Sequence, residues 1–72
     1  MSLDELRRSV EFVAFSLRGK TLREAIDVAS AEHLVIRITS EDGAAFYVTD
    51  DFKLNRINVD LIDGIVQEAK VG

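Results

Sequence analysis

Between two runs that alternate apolar and polar residues lies the stretch Val48-Thr49-Asp50-Asp51-Phe52-Lys53-Leu54-Asn55-Arg56-Ile57-Asn58, whose centre has neither helical nor strand periodicity. It begins as a strand at Val48 and runs into another, Ile57-Asn58-Val59-Asp60-Leu61. A connection between strands of a small domain is expected to be short or rich in Gly. This one has no Gly and carries Asp50, Asp51, Lys53 and Arg56 beside an exposed Phe52. Such a segment keeps one shape only if side chains outside it hold it, so the rest of the fold is read as its support.

At 72 residues the chain has room for a single domain, 1–72, and one core. A core of that size nets about 3–5 kcal/mol, so a rigid surface segment has to be tied down locally. The absence of Cys excludes disulfides and Cys-ligated metals. It fits a reducing cytoplasm without excluding secretion, and Asp4 and Glu5 stand where a signal peptide needs basic residues. No apolar run is long enough to span a membrane. A net charge of −4 argues against a nucleic-acid backbone as partner.

Ser2-Leu3-Asp4-Glu5 reads as a capping box, with Glu5 reaching back to Ser2. Leu3, Leu6, Val10, Val13 and Leu17 then recur at helical spacing, predicting a helix of about four turns with one buried stripe. Phe12 and Phe15 flank that stripe and Gly19 is a stop signal. Thr21-Leu22-Arg23-Glu24 is a second capping box, and Leu22, Ala25, Ile26 and Ala29 are expected to form the buried face of a short helix. The lone His33 follows its end and has no nucleophile in a matching context, so it is read as solvated. Leu34 to Thr39 is a strand with Leu34, Ile36 and Ile38 on one side, broken by Glu41-Asp42-Gly43. After the irregular stretch, Asp63-Gly64 marks a hairpin whose return strand is Ile65 to Val71. These elements predict an α+β fold: a small sheet packed on one helix, a C-terminal β-hairpin and an extra N-terminal helix.

No His-x-Glu, nucleophile elbow or Gly-rich phosphate loop is present, so neither an enzyme nor a cofactor is expected. Asp50 and Asp51 are adjacent, point in opposite directions in an extended segment and make a poor metal clamp, even with Glu41 and Asp42.

Val48-Thr49, Asp51-Phe52-Lys53 and Asn55-Arg56-Ile57, with Val59 two further on, resemble the reactive-site loop of the potato type I serine protease inhibitors, the family of chymotrypsin inhibitor 2 and eglin. Leu17-Arg18-Gly19-Lys20 with Glu24-Ala25, and the final Val71-Gly72, are similar to the family's helix start and its ending. The resemblance spans roughly residues 17–72, leaving 1–18 as an N-terminal helical extension and 19–72 as the inhibitor-like core. It implies that the two longest strands run parallel, joined by an extended loop. It also implies a reactive loop of Val48, Thr49, Asp50, Asp51, Phe52 and Lys53, with Asp50–Asp51 as the scissile bond. Arg56, paired with Thr49 or Asp51, and Asn58, where eglin-like members have a second Arg, are then the supports beneath it.

The implied partner is a serine protease, but subtilisin- and chymotrypsin-type pockets are apolar, and an unpaired carboxylate buried there costs several kcal/mol. Three expectations follow: an acid-specific protease as target, an offset loop anchored by Phe52, or a fold kept for another binding role. The rival to inhibition is a protein-interaction module that docks or homodimerises through the helix bearing Phe12 and Phe15.

Overall fold

Helix α1 (Leu3–Ser16) starts where Ser2 Oγ accepts from the Glu5 amide at 3.2 Å. Only this half of the expected capping box forms, since Glu5 does not return a bond to Ser2. Helix α2 (Leu22–Ala31) has both halves: the Thr21 amide donates to Glu24 Oε1 at 2.9 Å and the Glu24 amide to Thr21 Oγ1 at 3.2 Å. The Thr21 amide first, and the Thr21 hydroxyl second, hold the Glu24 carboxyl below its usual range. α2 ends in a Schellman motif with His33 left-handed at φ 58° and the Leu34 amide reaching back to the Ala29 carbonyl. His33 is exposed.

The structure, a computed structural model covering every residue from Met1 to Gly72, places four strands after the helices. They are β1 (Val35–Glu41), β2 (Ala44–Ala45), β3 (Arg56–Ile62) and β4 (Ile65–Val71), in the order β2-β1-β3-β4. β1 and β3 are parallel, with Ile36 opposite Ile57 and Arg37 opposite Asn58, while β2 and β4 pair antiparallel on either side. Asp42-Gly43 and Asp63-Gly64 make the two hairpins, all four residues having positive φ as two-residue type I′ turns require. The first of these turns carries only the two-residue β2, so the run expected to continue as strand to Val48 is irregular from Phe46 on.

Both helices cover one face of the sheet, α1 against β4 and α2 against β1 and β4. Val10, Ala14 and Leu17 of the N-terminal segment share one buried cluster with Ala25, Ala29, Leu34, Ile57, Val59, Leu61, Val66 and Ala69. The N-terminal helix therefore docks on its own domain. Its expected stripe is only half used: Leu3 and Leu6 stay exposed, because α1 reaches the sheet with its C-terminal half, where Ala14 supplies the close contact. In α2 Ile26 is likewise exposed, and Val28 takes its expected place beside Ala25 and Ala29. The chain between the helices also joins the sheet, Gly19 donating to Val66 and Val66 to Lys20 at the start of β4. No helix is long and apolar enough to cross a membrane.

The opposite face of the sheet is polar. Arg37, Asn58 and Lys70 are register partners across β1, β3 and β4. The segment between β2 and β3 runs beside this face, and of these three residues Arg37 reaches it.

Candidate functional site

The last backbone hydrogen bond before the loop is from Phe46 to Thr39, and the next is from Lys53 to Gly72. From Tyr47 to Phe52 no main-chain group is bonded to another. A backbone without a ladder is fixed only by side chains, and here two guanidiniums do it.

Arg56, at the start of β3, is buried. Its Nε and Nη2 donate to the backbone oxygen of Gly72 at 3.0 and 2.6 Å. Nη2 also donates to the Asp51 carbonyl at 2.8 Å and lies 3.2 Å from Asp51 Oδ1. The expected support by Arg56 is therefore present and falls on Asp51, not Thr49.

Arg37, in the middle of β1, supplies the other grip. Nη1 donates to the Thr49 carbonyl and to Thr49 Oγ1, both at 3.1 Å, and stands 3.7 Å from Asp51 Oδ1. Its Nε donates to Asn58 Oδ1 at 2.7 Å. Asn58 therefore does not touch the loop as expected: too short to reach it, it orients the arginine that does. The Thr49 hydroxyl in turn donates to Asp51 Oδ1. That bond first, and Arg56 second, pull the Asp51 carboxyl down to about 2 from its usual 3.8.

Asp50 lies between these two fixed residues, at a bend in the backbone, exposed and met by neither guanidinium. The carbonyls on both sides of it, those of Thr49 and Asp51, are held. Phe46, Tyr47 and Val48 leave large apolar surfaces in solvent on the approach to the bend. On the far side the Arg7 guanidinium of α1 lies 5.2 Å from the centroid of the Phe52 ring, itself paired with Glu11 at 3.2 Å. Lys53 is exposed and contributes its amide to Gly72. Phe12 and Phe15 are exposed on α1, with Arg18 5.2 Å over the Phe15 ring.

Sequence reasoning thus named the loop, Arg56 and the closing Val71-Gly72 but missed Arg37, Arg7, the bonds from Arg56 to Gly72 and the apolar approach Phe46-Tyr47. The signal for Arg37 was a lone Arg in an otherwise apolar strand run. The ending Val71-Gly72 marked Gly72 without its role, which appears only in space: a Cβ there would stand 2.6 Å from Asn58 Nδ2. No group of three or more His, Asp and Glu side chains is arranged to hold a metal ion. Comparison with models of known families, with curated proteins and with solved structures finds no match.

Proposed function

We propose that the chain is a serine protease inhibitor of the potato type I kind, offering Thr49–Lys53 as a substrate-like loop with Asp50–Asp51 as the bond presented. The observation that carries this reading is the double grip of Arg37 on Thr49 and Arg56 on Asp51, which leaves the residue between them free. Ordering a flexible segment costs about 1–2 kcal/mol per residue. A loop ordered before it meets an enzyme avoids most of that cost and binds accordingly more tightly. The free Asp50 carbonyl between two held ones suits attack by a nucleophile, while the fixed flanks keep the bond from opening.

The test removes the question of pocket charge. Asp50→Leu, placed before subtilisin and chymotrypsin, should inhibit at submicromolar concentration. The same variant carrying Arg37→Gln should be cut as an ordinary peptide segment. If folded Asp50→Leu is itself cleaved rapidly by both enzymes, the loop is not an inhibitor loop.

One observation favours a second reading, docking through α1: Phe12 and Phe15 remain exposed although the helix is seated on its domain. Self-association lost in Phe12→Ser and untouched by loop changes would support it, whereas a monomer at all concentrations that captures no partner counts against it.

A further inference from the structure

Three side chains at the bend compete for the role of anchor in an enzyme pocket: Asp50, Asp51 and Phe52. Thr49 and Asp51 face the same way, because they bond each other and both meet Arg37. The side chain between them therefore points away from the scaffold, and Asp50 is exposed. Asp51 is already engaged by the Thr49 hydroxyl and Arg56. Phe52 is the apolar candidate, yet one face of its ring lies under Arg7, which Glu11 holds. Moving Phe52 into a pocket would break that stack, whereas moving Asp50 breaks nothing.

A carboxylate leaving water needs a countercharge. Arg37 and Arg56 are committed beneath the loop and turned to its other side, so neither can follow Asp50 into a pocket. The cation has to come from the partner. Resting on the inhibitor reading above, we infer that the partner is a serine protease whose primary specificity pocket carries a fixed positive charge and which cleaves after acidic residues. Phe46, Tyr47 and Val48 would lie along the same cleft ahead of the bond, giving that enzyme apolar contacts beside its charged pocket. Asp50 is then the specificity-determining residue, and Phe52 a fixed rather than an inserted one.

The experiment titrates the full chain against a serine endopeptidase that cuts after Glu or Asp, and against subtilisin and chymotrypsin. Wild type, Asp50→Asn and Asp50→Leu are compared, with thermal melts to establish that each is folded. Wild type is expected to inhibit the acid-specific enzyme, Asp50→Asn to do so at least about 100-fold more weakly, and Asp50→Leu to inhibit only the apolar-pocket enzymes. Wild type inhibiting subtilisin or chymotrypsin as well as Asp50→Leu does would overturn the inference and make another side chain the anchor. Asp50→Leu inhibiting subtilisin while wild type leaves the acid-specific enzyme untouched would overturn the partner and keep the inhibitor. Inhibition by none of the folded proteins would overturn both.

Discussion

The Asp51 carboxylate is where a hydroxyl and two guanidiniums converge, so its charge and the shape of the loop are linked. A carboxyl whose value is lowered in the folded chain stabilises that chain above its unfolded value and stops doing so as pH falls through the folded one. Loop order should therefore be complete above the usual 3.8 and fail as pH falls toward about 2, chiefly through loss of the Thr49 and Arg56 bonds. Carboxyl carbon shifts of Asp51 followed by NMR should give that low midpoint, and Thr49→Val should raise it. Gly72→Ala should act on the same site from below. The new Cβ would meet Asn58 Nδ2 at 2.6 Å, and Asn58 can yield only by turning away from Arg37. Cutting between Tyr47 and Phe52 by a nonspecific protease should speed several-fold while the melting midpoint barely moves. Little of this was legible in the sequence. Arg56 was found because it sits in a motif on the loop's own strand. Arg37 was not, because its partner is set by the register of two parallel strands, which no local pattern encodes.

At the level of elements, α1 does two jobs with its two halves. Its C-terminal half builds the core, where Leu17 is fully buried. Leu17→Ala should cost about 2–5 kcal/mol in a denaturant titration. Its N-terminal half leaves Leu3 and Leu6 in solvent but carries Arg7 to Phe52. A cation over a half-exposed ring is worth about 0.5–1 kcal/mol, and the surface pair with Glu11 adds little more. Arg7→Ala is therefore expected to leave global stability nearly unchanged while raising the rate at which a nonspecific protease cuts near Phe52. Equal cutting of variant and wild type would show the contact to be idle. Both helices and the three long strands were readable, since caps, the Asp63-Gly64 turn and strand alternation act locally, whereas the two-residue β2 was not, being too short to show a period. How far along α1 the burial extends was not, because periodicity defines a face and is silent on where the sheet beneath it ends.

The molecule as a whole is divided unevenly by its loop. β1, β2 and both helices precede Asp50, and β3 with β4 follows it, yet β1 and β3 are neighbours in the sheet. Most of the buried cluster straddles that division, Leu17 and Ala25 on one side and Ile57, Val59 and Leu61 on the other. Peptides 1–50 and 51–72, mixed in equal amounts, should therefore associate and recover the far-ultraviolet spectrum of the intact chain, which neither should display alone. The two grips come from different strands, Arg37 from β1 on Thr49 and Arg56 from β3 on Asp51. Were the bond after Asp50 hydrolysed, each new end would stay moored to its own central strand, the amine beside the carboxyl it had left. Neither product could diffuse away, so scission there would be a reversible step that settles at a mixture of cut and intact chains, approached from either side.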